Sequence, residues 1–396
     1  MTPAARIAAA IEILDRHLAG TPAEQALTGW ARSHRFAGSG DRAAIRDHVF
    51  DALRCLRSHA ALGGRAETAS GRALMIGALR DAGLAPETMF TGQGHAPSEL
   101  APDEIRAPSG ALPRNVALDC PDWLAPALCD SLGPSFEPVL RLMRQRAPVF
   151  LRVNLARASR TEAQAALAAE GIGAVPHPLA KSALQVTEKP QRLRVSAPYL
   201  DGRVELQDVA SQAVVEMLPL TGGRVLDYCA GGGGKTLAMA ALMPARFVAH
   251  DIAPQRMCDL PGRALRAGIS VEIADASGVA ALAPYDLVLL DVPCSGSGSW
   301  RRAPEAKWAL TVARLAELRR IQARILDETH SLVGPGGVLA YVTCSMLDAE
   351  NADQVEGFVR RNPGWHCTNS RSFTPLDGGD GFFCALLTRL PGPQQS

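Results

Sequence analysis

Apolar positions recur at helical spacing near the start of the chain. Ile7, Ile11, Leu14 and Leu18 fall at i, i+4, i+7 and i+11, and Ile45, Val49, Leu53 and Leu56 repeat the pattern, which predicts helices through residues 4–60. Beside the second stripe, Arg42, Arg46, Arg54 and Arg57 lie within roughly a 120° arc at about 100° per residue. Such an arc is either a solvated face or a surface for a polyanion. From 85 to 122 the periodicity fades as Pro, Gly and Ala rise, as in "APSELAPDEIRAPSGALPRN", so a long connection is expected, with a domain boundary near 135–145. "VFLRVNLA", "RTEAQAALAAEGI" and "ALQVTE" then read as strand, helix and strand, a small α+β module over about 145–200.

Past residue 205 the pattern changes. "GRVLDYC", "RFVAHD", "SVEIADA", "YDLVLLDVP" and "GGVLAYVTC" are apolar runs separated by helical stretches, the last preceded by an amphipathic helix through Leu318, Ile321, Ile325 and Leu332. Strands apolar on both sides and alternating with helices predict a parallel sheet covered on both faces. Ligands bind such sheets at the carboxyl ends of the strands. Cys229, Asp251, Asp275, Asp291, Cys294 and Cys344 are all expected there.

Composition narrows the class. A chain of 396 residues exceeds one ordinary core and implies two or three domains. No run of about 18 uncharged apolar residues occurs, and Arg6, Glu12 and Asp15 interrupt the first apolar pattern, so neither a membrane span nor a signal peptide is expected and the protein is placed in the cytoplasm. Nine cysteines without a CxxC pair point to reduced thiols rather than disulfides or a metal site. The net charge of +1 gives no argument for a polyanionic partner, and the dominance of arginine over four lysines (Lys181, Lys189, Lys235 and Lys307) is ascribed to genomic base composition.

The candidate chemistry begins at "VLDYCAGGGGKT", a strand, a glycine turn and a helix start. Cys229 stands where a phosphate-binding loop needs its first glycine, and Thr236 where a dinucleotide fingerprint needs its third. A nucleotide-like ligand without those phosphate requirements remains. Asp251 can accept from ribose hydroxyls and Asp275 can flank a purine. Either alone reads more simply as a cap or turn former, but acids at successive strand ends beside a glycine turn describe an S-adenosylmethionine site.

Cys55, Cys120, Cys129, Cys258, Cys367 and Cys384 read as small core residues. Cys294 and Cys344 differ, because both follow strands that converge on the expected crevice. Pyrimidine C5 is a poor nucleophile; thiolate attack on C6 makes it enamine-like and able to take a methyl group. The C5 proton must then leave and the enzyme sulfur be expelled, which needs a second proton-moving group.

"DYCAGGGGKT", "DVPCSGSGSWRRAPEAKW" and "PGGVLAYVTCSMLDAEN" resemble the motifs of the RsmB/Sun/Fmu-type RNA cytosine C5-methyltransferases, with "ELQDVASQ" and "DGFFCALLTR" extending the likeness over residues 145–390. The resemblance implies a Rossmann-like class I methyltransferase domain at 205–390, preceded by an all-α NusB-like RNA-binding domain at 1–135 and a small α+β, RRM-like module at 145–200. It implies Cys344 as nucleophile, Cys294 assisting release, Asp291 on the cytosine edge and Lys235 close to the same base. For S-adenosylmethionine it implies Cys229, Ala230, Gly231, Gly232, Gly233, Gly234 and Lys235 at the turn, Asp251 at the ribose, Asp275 near the adenine, and Arg256 and Asp291 among the cofactor-binding residues. The family turn reads CAAPGGK; here Gly231 and Gly232 replace its second alanine and its proline, which removes rigidity.

"GSWRRAPEAKW" places Arg301, Arg302, Lys307 and Trp308 beside the catalytic motif, either as a loop anchored by a buried Trp308 or as phosphate contacts. The expected protein is thus a cytoplasmic, monomeric enzyme without a metal, forming 5-methylcytosine in RNA, in small-subunit rRNA before any other. A tRNA cytosine methyltransferase and a non-catalytic ribosome-assembly or RNA-binding protein are the alternatives.

Overall fold

The computed structural model describes residues 1–66, 68–106 and 109–390, and divides into two units: Met1–Arg146 with Trp300–Ala309, and Ala147–Ser299 with the chain from Leu310 onward. The first unit is helical. Helices α1 (Pro3–Leu18), α2 (Ala23–Ser33), α3 (Ser39–Arg54), α4 (Leu56–Leu62) and α5 (Gly71–Asp81) are followed by short helical segments up to Phe136–Met143, and by Pro304–Ala309 from the later insertion. Thr2 caps α1 by accepting from the Ala5 amide, and Ser70 does the same for α5 from Ala73. Ile7, Ile13, Leu14, Trp30, Ile45, Val49, Leu53, Leu74 and Ile76 form the core. Leu18, expected in that stripe, is more than a third exposed because α1 ends there. The chain breaks at Cys55, so Leu56 and Arg57 open a new helix rather than extend α3. Residues 107–108 of the expected long connection lie outside the described residues.

That break dissolves the arginine arc as a polyanion-facing stripe. Arg54 is buried and donates to Asp51 Oδ1 at 2.6 Å and to the Arg301 carbonyl at 2.7 Å. Arg57 is tied to Asp122 at 2.7 Å and to the Cys120 carbonyl, Arg46 to Glu24, and Arg42 Nε to the Ala37 carbonyl at 2.9 Å. Sequence spacing shows the arc and the nearby Asp51, but not Glu24, Cys120, Asp122 or the Arg301 carbonyl, which come from elsewhere in the chain.

The second unit holds two sheets. Strands β1 (Val149–Val153), β2 (Ala174–Pro176), β3 (Ala183–Val186) and β4 (Val204–Leu206) form an antiparallel sheet in the order β2-β3-β1-β4. Helix α6 (Arg160–Ala169), begun by a Ser159–Glu162 capping box, packs Leu167 and Ala163 with this sheet's core. The larger sheet contains β5 (Arg224–Asp227), β6 (Arg246–Ala249), β7 (Val271–Ile273), β8 (Tyr285–Asp291), β9 (Val333–Thr343), β10 (Trp365–Phe373) and β11 (Phe382–Arg389), in the order β10-β11-β9-β8-β5-β6-β7. Val225, Leu287 and Leu289 pack on one face; their neighbours Leu226, Val288 and Leu290 pack on the other. Both faces are buried, which is why these strands are apolar at successive positions.

The sheet is not the wholly parallel one that the sequence pattern predicts. β11 pairs antiparallel with both β9 and β10, whose short connection to β11 needs no crossover. Consequently the start of β11, rather than its end, lies beside the carboxyl end of β9, with Phe383 opposite Thr343. The amphipathic helix before β9 is Val312–Thr329; Leu332 falls in the following turn. Strand order reverses between β5 and β8, and the crevice beyond that switch point is where a doubly wound sheet takes its ligand.

Candidate active site

The glycine turn follows β5 and leads into α7 (Gly234–Leu242). Gly231 and Gly233 have φ of +51° and +76°, which glycine adopts at little cost. A Cβ on Gly233 would also come within 2.2 Å of Leu260 Cδ1. The rigidity expected to be lost with the family proline is restored by other bonds. Gly231 N–H donates to Asp251 Oδ2 at 2.9 Å, Gly233 N–H to the Ala230 carbonyl at 2.8 Å, and Arg263 to the Gly232 carbonyl. Arg152 of β1, fully buried, donates to the Gly234 carbonyl at 2.8 Å, and burial pushes its guanidinium down to about 10.

Asp251 lies two residues past β6 and is buried. Besides Gly231 it accepts from Ala253 N–H at 2.9 Å and forms an ion pair with Arg256 at 3.2 Å, so its two hydrogen bonds leave lone-pair positions open. Asp275, past β7, caps the helix Ala276–Ala281, its Oδ1 accepting from Gly278 N–H at 2.8 Å and Ser277 Oγ at 2.7 Å; the cap bond lowers its carboxyl below the usual range. The turn-forming and capping roles are therefore present, and each carboxylate retains capacity for a ligand. Asp227, unremarked in the sequence, is buried at the end of β5 with Oδ2 accepting from Thr236 Oγ1 at 2.6 Å and Oδ1 without a protein partner. Burial pushes it up to about 7. A side-chain-free turn beside an orphaned buried carboxyl oxygen is a cradle that fits the amino-acid end of S-adenosylmethionine.

On the other side of the switch point, Lys235 Nζ pairs with Asp291 Oδ2 at 2.6 Å and lies 4.9 Å from the ring centre of Phe382, at the start of antiparallel β11. Burial, the largest single effect, would depress this ammonium, but Asp291 by charge and hydrogen bond, with Cys344 and Asp227 behind it, raises it. Cys294, three residues past β8, and Cys344, directly past β9, bring their sulfurs to 3.4 Å. The contact with Cys344, then burial, pushes the Cys294 thiol well above its ordinary value, so Cys294 keeps its proton. Cys344 is among the groups that raise Lys235, which places the ammonium within electrostatic reach of that sulfur. Burial raises Cys229 too, and this thiol lies past β5 at the base of the glycine turn.

Arg301, Lys307 and Trp308 do not join this group. Trp300–Ala309 belongs to the helical unit, where it closes the ends of two helices. Lys307 Nζ donates to the Arg54 carbonyl at 3.0 Å and Trp308 Nε1 to the Leu53 carbonyl at 2.7 Å, taking carbonyls that α3 leaves unpaired at its end. Glu305 accepts from Ala23 N–H at 2.8 Å at the start of α2, which has no side-chain cap of its own. Arg301 is buried, with Nη2 donating to the Arg146 carbonyl at 3.0 Å. The fully buried tryptophan is Trp300, not Trp308. A buried guanidinium held by main-chain oxygens has no reach to phosphate.

The sequence reading also passed over Glu350, which is fully buried and accepts from Ser295 N–H at 2.8 Å, Gln322 Nε2 at 3.0 Å, Ser345 Oγ at 2.6 Å and the Ser295 hydroxyl. Its one visible signal was an acid six residues after Cys344, inside a motif read for its cysteine.

The fold and this crevice define an S-adenosylmethionine-dependent methyltransferase of the Rossmann-like class. Residues 214–392 match the family model described as 16S rRNA methyltransferase RsmB/F, and residues 120–192 match the ferredoxin-like domain of RsmF/B-like methyltransferases. The chain belongs to this family. A curated relative, the ribosomal RNA small subunit methyltransferase B of Klebsiella pneumoniae (strain 342), is 33% identical over 284 residues, covering 68% of this chain and 66% of that protein. Among solved structures, that of PH0851 is similar with a TM-score of 0.76 at 22% identity over 98% of this chain and 99% of that one. The structure of NSun6 from Pyrococcus horikoshii with SFG is similar with a TM-score of 0.61 at 18% identity, over 69% and 99%. These structural likenesses bear on fold. No helix among the described residues is long and apolar enough to cross a membrane.

Proposed function

We propose that this protein methylates C5 of a cytosine in small-subunit rRNA, acting as a monomer in the cytoplasm. The observation that carries the proposal is the 3.4 Å approach of Cys294 and Cys344 beside the buried Lys235–Asp291 pair. Bound S-adenosylmethionine would supply the electrophilic methyl group, held by the glycine turn, Asp227, Asp251 with Arg256, and Asp275. Cys344 forms a bond from sulfur to C6, and the C5–C6 π pair shifts so that C5 becomes nucleophilic. Asp291 accepts from the exocyclic amine and Lys235 balances charge at the same ring. Once C5 carries the methyl group, its proton passes to solvent water, the C5–H pair re-forms the C5–C6 double bond, and the C6–sulfur bond breaks with its electron pair returning to Cys344. Cys294 holds its proton next to that sulfur, which suits it to return a proton as Cys344 departs and not to compete as nucleophile.

RNA contact by the helical unit is part of the proposal, but the Arg54 and Arg57 side chains are committed within that unit and do not supply it. Labelled S-adenosylmethionine, small-subunit rRNA and total tRNA in parallel, followed by bisulfite sequencing, test the reading. Label at one rRNA cytosine is expected. Label confined to tRNA moves the substrate, and no label in either returns the chain to a binding role.

A further inference from the structure

The residues flanking each cysteine are held more firmly than the cysteines themselves. Ser295, directly after Cys294, gives both its amide and its hydroxyl to the Glu350 carboxylate; Ser345, directly after Cys344, gives its hydroxyl to the same carboxylate at 2.6 Å. Gln322 of the helix Val312–Thr329 bonds Glu350 and the carbonyl of Pro293, the residue before Cys294, both at 3.0 Å. Asn351 accepts from Thr343 Oγ1 at 2.6 Å and donates to the Ser345 carbonyl at 3.0 Å, holding both sides of Cys344. Tyr341 fixes the main chain by donating to the Glu350 carbonyl at 2.7 Å.

We propose that Glu350 is the positioning residue that fixes the two thiols against each other, by binding the residue after each cysteine to one buried carboxylate. Four donors converge on it and no cation lies within ion-pair distance among the described residues. A buried carboxylate compensated only by neutral donors is a costly way to fill a core, and apolar packing usually serves folding as well. What a carboxylate adds is four lone-pair directions at fixed angles, enough to join two loops that meet at their ends. This assignment rests on the two-thiol reading above.

The first readout, thiol geometry, needs neither RNA nor cofactor. Hydrogen peroxide closes a neighbouring thiol pair to a disulfide, the sulfurs losing two electrons and two protons and the peroxide leaving as two waters; the Cys294–Cys344 peptide is counted by mass spectrometry. Glu350→Ala should slow cross-linking about tenfold and lower kcat on the order of 100-fold, with S-adenosylhomocysteine affinity unchanged, since a misplaced reacting group costs turnover rather than binding of a separate ligand. Glu350→Gln should restore both, because the amide oxygen serves Ser295 N–H and Gln322 while its NH₂ donates to hydroxyls that can reverse. If Glu350→Ala does not fold, Ser295→Ala and Ser345→Ala each cut one tie and should slow cross-linking. Wild-type rates of cross-linking and turnover in the folded alanine variant, or of cross-linking in both serine variants, overturn the proposal. A wild-type protein that cross-links yet makes no 5-methylcytosine overturns the proposed function alone.

Discussion

Two of the four lysines in this chain are buried, one in each unit, and their surroundings are opposite. Lys235, in the crevice, faces Asp291 at 2.6 Å and is raised despite its burial. Lys307, in the helical unit, has the Arg54 carbonyl and the Trp308 ring but no carboxylate within 4.0 Å among the described residues, and burial pushes it down to about 8. A helix-end carbonyl carries only a partial charge, so it closes a helix without holding the ammonium charged. A carboxylate does hold it. Burial of a cation is thus no mark of function; the partner decides whether a permanent charge is kept where a reaction needs one.

The comparison breaks most readily at the thiols. If the crevice is built for chemistry, Cys344→Ala should reduce turnover to background with little loss of stability and give no protein–RNA adduct. Cys294→Ala should leave attack open and slow release, so a denaturant-resistant protein–RNA band accumulates; the double variant should lack it. An adduct that instead requires Cys294 would exchange the two roles.

Asp291→Asn tests the pair directly. Removing the carboxylate leaves Lys235 buried and uncompensated, which costs about 3 kcal/mol of stability, at the low end for such pairs because Asp291 is partly exposed. Urea unfolding measures it, and loss of 5-methylcytosine should accompany it. A stable, active Asp291→Asn protein would put Lys235 in the same structural category as Lys307.

These contrasts were only partly legible in the sequence. Strand ends could be read because a sheet buried on both faces leaves apolar runs that stop at an acid, as in "YDLVLLD" before Cys294. The antiparallel β11 could not, since "FFCALLTR" is as apolar as a parallel strand and only pairing sets its direction. Lys235 and Asp291 are 56 residues apart and met through family resemblance, not spacing. "SWRRAPEAKW" left an anchored loop and phosphate contacts both open because its partners, the carbonyls of Leu53, Arg54 and Arg146, are main-chain atoms that exist in every sequence. Glu350 was missed for the converse reason: its meaning lies in four donors drawn from three segments.

A smaller effect is expected at Asp251. Asp251→Ala removes hydrogen bonds to a charged group worth roughly 1.5 to 3 kcal/mol, weakening S-adenosylhomocysteine about 10- to 150-fold. Part of the loss should come from the freed Gly231 amide, which Asp251 now holds. Calorimetric titration decides, and unchanged affinity would remove Asp251 from the cofactor site while leaving its role in the turn.

The smallest effect sharpens the comparison from the side of Lys307. Its ammonium falls from an ordinary 10.5 to about 8 on folding, by burial, with Asp119 opposing. Between those values the unfolded chain binds a proton that the folded protein does not, so this lysine's contribution to stability rises with pH across that window; below about 8 the full cost of burying the charge is carried. Lys307→Met removes that cost and also the donor to the Arg54 carbonyl, so near pH 7 the variant should lie within about 1 kcal/mol of wild type. At pH 10 the wild-type lysine is neutral and still donates, and it should be the more stable by about 1 to 2 kcal/mol. Cys55 and Cys120, pushed up to about 12 and about 11 by burial, lower stability as pH rises in both proteins; the Lys307 charge pulls both thiols down, so only the part of their effect that is independent of Lys307 cancels in the difference. Urea unfolding of the two proteins from pH 7 to 10 reads that difference; a flat line would mean that Lys307 keeps its charge when folded, and the contrast with Lys235 would vanish.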